Sequence, residues 1–286
     1  MSWVLPMSPS FVYNKQVSPR RNPDTLSSVF FGERVVNDMV TASGLSKVFT
    51  DRKRGTVVAL DEVSFETRSG EVFGILGVNG AGKTTLLRVL GTILTPSAGD
   101  ATVAGYNIRT QPQEVRQHIG YLTGSTALYG RLTAREMLAY FGSLYGLSGE
   151  LLRRRIDDLV ETLQMGEFID GRCDRLSTGQ RQRVSIARSI IHNPPVMFMD
   201  EPTAGLDVVT SRTIIQFIED SRRRGHTVLF STHIMSEAER LCDRIAVIHR
   251  GRVVAIGTLE ELRARTGERA LELVFLSLIG EKEGEE

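Results

Sequence analysis

The chain has 286 residues, which is enough for one large domain or for one domain with an appended subdomain. Its formal net charge of +1 gives no bulk electrostatic field that would favour nucleic acid or a membrane surface. The two cysteines, Cys173 and Cys242, lack CxxC spacing, which argues against a disulfide framework or a zinc site and fits a reducing cytoplasm. No apolar run approaches the about 20 residues that cross a bilayer, so a role at a membrane would need another chain.

The first forty residues differ from the rest of the chain. They contain four prolines and scattered serines without a sustained apolar period, which is typical of a poorly ordered tail. No compact apolar stretch follows a basic start, so a secretory signal is not expected. We therefore predict a poorly ordered N-terminal extension over residues 1–39. Our hypothesis is that residues 1–38 are dispensable, and translation from Met39 is one form of this hypothesis.

Strands and helices alternate from about residue 40 onward, which predicts a parallel α/β core. The stretch 133–192 is mainly helical, so we predict one domain over residues 40–267 with a helical subdomain inserted at about 125–192. Residues 270–279 are expected to form one further strand before an acidic end, within a C-terminal segment 268–286. The predicted helices cover residues 133–146, 150–165, 208–224 and 258–265. The predicted strands cover residues 71–77, 196–200, 227–231, 244–248 and 253–256.

A phosphate-binding loop lies between the first apolar strand and a helix, where the sequence fits GxxxxGK[ST] without adjustment. Glycines let the backbone turn so that several N–H groups point at one anion, and the next helix adds its positive end. The lysine can reach the β- and γ-phosphate oxygens, and the Thr84 hydroxyl can bind Mg²⁺. The predicted ATP-binding residues of this loop are Gly77, Val78, Asn79, Gly80, Ala81, Gly82, Lys83, Thr84 and Thr85.

A second buried strand, Val196-Met-Phe-Met, ends in the carboxylates Asp200 and Glu201. Asp200 is predicted to hold Mg²⁺, usually through water, because this ion keeps part of its hydration shell. Glu201 lies one residue further, where it can orient or deprotonate the attacking water. Both roles depend on the phosphate loop, since many strands end in Asp-Glu without any chemistry.

The segment Leu176-Ser-Thr-Gly-Gln, followed by Arg181-Gln-Arg-Val-Ser-Ile-Ala-Arg, resembles the signature motif of ATP-binding-cassette (ABC) ATPases, with Thr178 in place of the first glycine. Ser177, the N–H of Gly179 and a helix N-terminus would form a second phosphate-binding surface, with Gln180 beside them. In this family that surface faces the phosphate loop of a second subunit. The resemblance implies that ATP is clamped between two chains.

The resemblance extends over about residues 40–267 and assigns three more residues. Asp207 matches the loop at the family's dimer interface, His233 matches the histidine that contacts the γ-phosphate, and Phe49 matches the aromatic that stacks on adenine. The implied fold is a P-loop NTPase with a mostly parallel sheet, an N-terminal antiparallel β part and an inserted helical subdomain. Within the family, the sequence is most similar to the sodium-efflux (NatA-type) ATPase subunits of exporters.

One position departs from the family pattern. Most members carry a glutamine after the strand that begins at Ile119, where this sequence aligns Gly124. A glycine side chain can neither touch Mg²⁺ nor orient water, although Ser125, Thr126 or water could substitute. We expect slow hydrolysis rather than an inactive protein.

These features predict an ATP-binding and ATP-hydrolysing motor subunit of an exporter that uses Mg²⁺. The expected partners are a transmembrane permease and a second ATPase subunit, with a homodimer permitted and no nucleic acid. The expected location is the cytoplasmic face of the membrane. Three alternatives are a soluble cassette protein acting on ribosomes or DNA, an ATP-dependent switch without a transport role, and an unrelated P-loop kinase. Sodium is the cargo suggested by resemblance, while drugs, lipids and polysaccharides are equally compatible with the motor.

Overall fold

The structure is a computed structural model that describes residues 38–51, 55–123 and 127–280. Its strands are β1 Asp38–Asp51, β2 Gly55–Arg68, β3 Val72–Leu76, β4 Ala98–Val103, β5 Tyr106–Asn107, β6 Ile119–Leu122, β7 Val196–Asp200, β8 Thr227–Thr232, β9 Arg244–His249 and β10 Arg252–Gly257. Its α-helices are α1 Lys83–Leu90, α2 Pro112–His118, α3 Ala134–Leu144, α4 Gly149–Thr162, α5 Thr178–Ile190, α6 Val208–Arg223, α7 Met235–Leu241, α8 Leu259–Thr266 and α9 Leu271–Ile279. The predicted extension up to residue 37, the predicted Gly124 departure with Ser125 and Thr126, and the acidic end from residue 281 lie outside the described residues.

The central sheet has six strands in the order β10-β9-β3-β8-β7-β6. The pairings from β9 through β6 are parallel, and β10 pairs antiparallel with β9 at one edge. Every residue of β3, β7 and β8 is buried, because helices cover both faces of the sheet. This burial explains why the strands read as continuous apolar runs in the sequence. The predicted α/β fold with a mostly parallel sheet is confirmed.

A second, antiparallel sheet has the order β2-β1-β4-β5. Its long hairpin of β1 and β2 is the N-terminal antiparallel part that the family resemblance implies. The strands β4 and β5 and the helices α2 and α7 were not predicted, because each is short and carries little periodic signal. The hairpin matters for the site, since its β2 strand forms one wall of the cleft described below.

The helices α3, α4 and α5 lie between β6 and β7 in the chain, as the helical stretch predicts. Their apolar faces share one core with the sheet, including Met137, Ile156, Val184 and Met197, all of which are buried. The start of α3 is fixed by a capping box, in which Thr133 and Glu136 exchange side-chain-to-backbone hydrogen bonds. In the ranges that the structure covers, no helix has the length and apolar character needed to cross a membrane.

The prediction of a strand at residues 270–279 is wrong, because residues Leu271–Ile279 form the helix α9. The buried side chains Leu271, Val274 and Phe275 recur at the three- and four-residue spacing of one helix face. They pack against α7, α8 and the strands β9 and β10 of the central sheet. A short, nearly continuous apolar run does not separate strand from helix by periodicity, so packing against neighbours decided the outcome.

Candidate nucleotide site

The phosphate loop connects the end of β3 to the start of α1, so the N-terminus of α1 points into the loop. Gly82, the residue before α1, has a φ of 111°, a backbone conformation that L side chains rarely adopt. A Cβ at Gly82 would lie 2.7 Å from the carbonyl oxygen of Ala59 on β2. The loop therefore needs glycine here both for its backbone angle and for its close approach to the hairpin.

Lys83 is 4% exposed and its ammonium group has three partners. Nζ donates to the carbonyl oxygens of Gly77 at 2.8 Å and Val78 at 3.2 Å, and it lies 3.0 Å from Glu201 Oε1. Two carbonyl groups of the loop and the carboxylate of Glu201 therefore satisfy the hydrogen-bond donors of the Lys83 ammonium group. A nucleotide phosphate would have to compete with these contacts for the lysine.

Asp200 receives two hydroxyl hydrogen bonds at the end of β7. Thr84 Oγ1 lies 3.2 Å from Asp200 Oδ1, and Ser231 Oγ lies 2.7 Å from the same oxygen. The loop threonine and the strand-end aspartate were predicted to act together on Mg²⁺, and the structure brings them into contact. The described residues contain no group of three or more His, Cys, Asp or Glu side chains that could hold a metal. One hydroxyl and one carboxylate are a donor set that suits Mg²⁺, which takes its remaining ligands from water and phosphate.

Glu201 lies beside both Lys83 and His233, whose Nδ1 is 3.3 Å from Glu201 Oε1. Burial acts to raise the pKa of the Glu201 carboxyl, but the hydrogen bonds and charges of Lys83 and His233 outweigh it and lower the pKa. Its φ of 47° is uncommon for a residue other than glycine. An ionised carboxylate on a strained backbone at a strand end is an arrangement that recurs at catalytic sites.

These groups border an open cleft of about 420 Å³ between the phosphate loop and the hairpin of β1 and β2. Phe49 lies on β1 opposite Val57 of β2 in the strand register and is 39% exposed, but it is not among the residues that line the cleft. We did not predict from the sequence that Val57, Val58 and Ala59 of β2 lie next to the phosphate loop. The sequence of one strand does not show which residues it faces in another segment. The lining residues are Val57, Val58, Ala59, Asn79, Gly80, Gly82, Lys83, Thr84, Thr85 and Glu201.

The signature segment is organised as a helix start. Ser177 caps α5, and its side chain and that of Gln180 form a capping box with distances of 3.2 and 2.9 Å. Gly179 is buried against Thr210, since a Cβ there would lie 2.6 Å from Thr210 Oγ1. Asp207 caps α6 and accepts hydrogen bonds from the N–H and hydroxyl of Thr210 at 2.9 and 2.8 Å. The N–H of Thr210 is the main reason why the pKa of Asp207 is lowered.

The structure therefore separates the predicted site residues into two groups. The phosphate loop, Asp200, Glu201 and His233 lie together, with His233 in contact with Glu201. Ser177, Gly179, Gln180 and Asp207 are linked to one another through Thr210 and the cap of α5. Among the residues that line the cleft, none comes from this second group.

Residues 60–204 match the family described as "ABC transporter". The matched region runs from β2 through the phosphate loop and the signature to the residues just after Glu201, while Asp207 and His233 lie beyond it. The chain belongs to the ABC transporter family. It is an ATP-binding and ATP-hydrolysing ABC subunit.

Relatives of this ABC subunit align over more than four fifths of the chain. It is 45% identical over 240 residues to the ABC transporter ATP-binding protein NatA of Bacillus subtilis (strain 168), covering 84% of this chain and 97% of NatA. It is 38% identical over 235 residues to the doxorubicin resistance ATP-binding protein DrrA of Mycobacterium tuberculosis (strain ATCC 25618 / H37Rv), covering 82% of this chain and 70% of DrrA.

A solved structure provides an independent match to the fold. It is a dimeric ATP-binding cassette in a post-hydrolysis state bound to ADP and Pi, which superposes with a TM-score of 0.71 at 28% identity. The match covers 77% of this chain and 98% of that cassette. The predicted P-loop fold is thus shared with a protein of known structure.

Proposed function

We propose that this subunit drives export through a separate transmembrane permease by closing as an ATP-dependent dimer. The observation that carries the proposal is the separation of the two groups of site residues. The cleft holds the phosphate loop and Glu201, while the signature residues Ser177 and Gly179 are absent from its lining. A second phosphate-binding surface that lies outside the chain's own cleft is explained by a partner subunit whose cleft receives it. The dimeric cassette bound to ADP and Pi supports this arrangement.

ATP would act as the link between two subunits, because only the closed state brings both phosphate-binding surfaces to one nucleotide. The complete set of motifs in one chain is compatible with a homodimer. In the closed state, the N-terminus of α5, with Ser177 and Gly179, would add N–H groups to the γ-phosphate. Asp207 would lie at the subunit interface, as the family resemblance implies.

The hydrolytic step follows from the contacts of Lys83 and Glu201. On ATP binding, Lys83 exchanges its contact with Glu201 for phosphate oxygens, which leaves the carboxylate free to accept a proton from water. The oxygen of that water attacks the γ-phosphorus, the bond from this phosphorus to the bridging oxygen breaks, and ADP leaves with the electron pair. His233 stands beside Glu201 and can donate to the γ-phosphate oxygens. Thr84 and Asp200 would hold Mg²⁺, which neutralises charge on the phosphates.

A candidate permease contact lies on the helical side of the molecule. A groove of about 330 Å³ has Ile93, Phe141 and Tyr145 among its lining residues. Tyr129 and Tyr140 extend the apolar surface beside it, with ring centroids 6.1 and 5.4 Å from that of Phe141. Ile93, Tyr129 and Tyr140 are 55%, 53% and 47% exposed, which is unusual for a contiguous set of large apolar side chains. Docking of a membrane partner here would hold the subunit at the cytoplasmic face of the membrane.

The cargo would be set by the permease rather than by this chain. Sodium efflux is the cargo that the resemblance to NatA-type subunits suggests, and the name of DrrA points to drug export by that relative. Sodium efflux and drug export both move the cargo out of the cell, so the two suggested cargoes share the direction of transport. The permease that is recovered with the chain would identify the cargo class.

The first test is a pull-down of the tagged chain from detergent-solubilised membranes of its own host, with partners identified by mass spectrometry. We expect a polytopic membrane protein in stoichiometric amount, and its loss in the Tyr140→Ser variant. Leu151→Ser is the matched control, because Leu151 is a large apolar residue that is 62% exposed but belongs neither to the groove nor to the aromatic residues beside it. Recovery of ribosomes or nucleic acid instead of a membrane protein would contradict the export role. If the Tyr140→Ser variant recovers as much of the membrane protein as the wild-type chain does, the proposed docking site is wrong.

A second test measures dimer closure and hydrolysis together. We expect ATP with Mg²⁺ to convert the Glu201→Gln variant into a dimer on size-exclusion chromatography, while the wild-type chain hydrolyses ATP faster than this variant. ATP binding without any dimer would favour the alternative of a soluble nucleotide switch. Equal phosphate release by the two proteins would contradict the role of Glu201.

A further inference from the structure

Ser231 lies at the centre of the site, but it belongs to none of the sequence motifs from which the site was predicted. It is fully buried near the end of β8, directly opposite Asp200 of β7 in the parallel register. In the sequence, this residue stands only at the end of the predicted strand 227–231, two residues before His233. The structure gives its hydroxyl two contacts of its own.

Each contact of Ser231 reaches a different acidic residue. Its Oγ donates to Asp200 Oδ1 at 2.7 Å and accepts from the main-chain N–H of Glu201 at 3.1 Å. The same N–H also lies 3.1 Å from the carbonyl oxygen of Ser231. The hydroxyl therefore connects the aspartate side chain to the backbone of the residue that follows it.

The second contact of Ser231, with the Glu201 N–H, lies where the backbone of Glu201 is strained. Glu201 has a φ of 47°, a region that is costly for a residue with a side chain and persists only where the surroundings hold it. The hydroxyl and carbonyl of Ser231 both hold the Glu201 N–H in that turn. The turn directs the Glu201 side chain towards Lys83 and His233 rather than along the strand.

The next residue serves the opposite side of β8, because side chains alternate along a strand. Thr232 donates to Glu237 at 3.1 Å and accepts from the N–H of Ile234 at 2.9 Å, which fixes the loop after His233. Two consecutive hydroxyls thus hold different parts of one site. Ser231 holds the acidic pair, and Thr232 holds the loop that presents the histidine.

We propose that Ser231 is a positioning residue for hydrolysis, which fixes the Asp200 carboxylate for Mg²⁺ and the Glu201 backbone for water activation. The inference rests on the proposed function, since both acidic residues act only if the site hydrolyses ATP with Mg²⁺. A hydroxyl is required because it donates to a carboxylate and accepts from an N–H at the same time. Alanine does neither, valine fills the space without either bond, and threonine retains both.

The experiment compares Ser231→Ala, Ser231→Val and Ser231→Thr with the control Ser221→Ala. Ser221 is 3% exposed and its hydroxyl donates to the Phe217 carbonyl at 2.8 Å, so its loss removes a comparable buried bond far from the acidic pair. Melting temperature identifies any variant that fails to fold. Hydrolysis is measured as kcat and KM, and binding of the non-hydrolysed analogue adenylyl imidodiphosphate is measured by calorimetry in EDTA and in Mg²⁺.

We expect Ser231→Ala and Ser231→Val to lower kcat by about 10- to 100-fold, the effect of leaving one buried charged group without its partner. Binding of the analogue in EDTA should stay within about 2-fold of wild type, while the gain in affinity on adding Mg²⁺ should shrink by about 5-fold or more. Ser231→Thr should recover most of both losses. A purely structural role would instead lower the melting temperature and weaken binding equally with and without Mg²⁺.

Wild-type kcat and an unchanged Mg²⁺ effect in Ser231→Ala would overturn the inference. So would failure of Ser231→Thr to exceed Ser231→Val when both are folded. Failure of the proposed function is distinguishable, because the wild-type chain would then release no more phosphate than Glu201→Gln. In that case, the Mg²⁺ dependence of analogue binding would still report on the contact between Ser231 and Asp200.

Discussion

Nζ of Lys83 lies 3.0 Å from Oε1 of Glu201, so the cation proposed to receive phosphate and the carboxylate proposed to activate water neutralise each other. The pair is nearly buried on the lysine side and a quarter exposed on the glutamate side. ATP must therefore separate two charges that stabilise each other before it can use either. In the proposed mechanism, this exchange would link nucleotide binding to release of Glu201 as the base.

Substitution Glu201→Gln should lower phosphate release by at least about 100-fold, because an amide cannot accept the proton of the attacking water. ATP should bind more tightly to this variant, since the amide neither holds Lys83 as a salt bridge nor repels the γ-phosphate. Phosphate release and calorimetric titration with ATP check the two effects. Glu219→Gln, which removes a surface carboxylate paired with Arg240, is the matched control and should leave both unchanged. Weaker ATP binding by Glu201→Gln would contradict the competition for Lys83.

Substitution Gly179→Ala should abolish hydrolysis, because the added Cβ would meet Thr210 Oγ1 at 2.6 Å and displace the start of α5. Thr210→Ala removes both that oxygen and the methyl group at 3.0 Å, so the double variant should recover part of the activity. Steady-state ATPase assays of the two single variants and the double variant measure the coupling. If Gly179→Ala and the double variant have equal activity, the clash between the added Cβ and Thr210 is not the cause of the lost hydrolysis.

Substitution Phe49→Ala should raise the Kd for ATP by about 5- to 20-fold, the range expected for loss of one aromatic stack on a base. Phe49→Trp should bind within about 2-fold of wild type, because it offers a larger ring at the same place. Calorimetry with ATP and with inorganic triphosphate separates the base contribution, since triphosphate has no adenine. Tyr140→Ala removes an exposed aromatic outside the cleft and should leave the Kd unchanged. A matching loss with triphosphate would argue against stacking.

Acid should destabilise the fold through His192. Burial lowers the pKa of this histidine from 6.5 to about 4, with Arg155 and His118 adding to the effect and a hydrogen bond from the ring to the Ile119 carbonyl opposing it. The unfolded chain binds the proton more readily, so the stabilisation present above pH 6.5 is lost as the pH falls towards 4. Between pH 7 and pH 5 the loss should be about 2 kcal/mol.

The variant His192→Phe isolates this contribution. It can keep the parallel stack on Tyr145, whose ring centroid is 3.8 Å away, but cannot gain a proton. Urea unfolding at pH 7 and pH 5 should give a smaller loss for His192→Phe than for wild type, even if the variant is less stable at pH 7. Equal losses in the two proteins would show that His192 is not the group responsible.

The amino-acid sequence by itself determined the class of fold and the chemistry of the site. Phosphate binding by Gly77–Thr84 depends on backbone turns and on a helix start, and these are encoded within a few neighbouring residues. The paired carboxylates Asp200 and Glu201 follow a buried strand that is readable as a continuous apolar run. The same locality explains why α3, α4 and α6 were predicted, since each carries its own apolar period.

Only the tertiary structure decided the features that depend on contacts between distant segments. Ser231 meets Asp200 through strand register, and Gly179 meets Thr210 through packing of α5 on α6, and neither pairing leaves a local pattern. Residues 271–279 became a helix because burial against α7 and α8 outweighed the strand preference of a short apolar run. Local sequence fixes backbone preferences over a few residues, whereas these outcomes depend on burial and register, which exist only after the chain has folded.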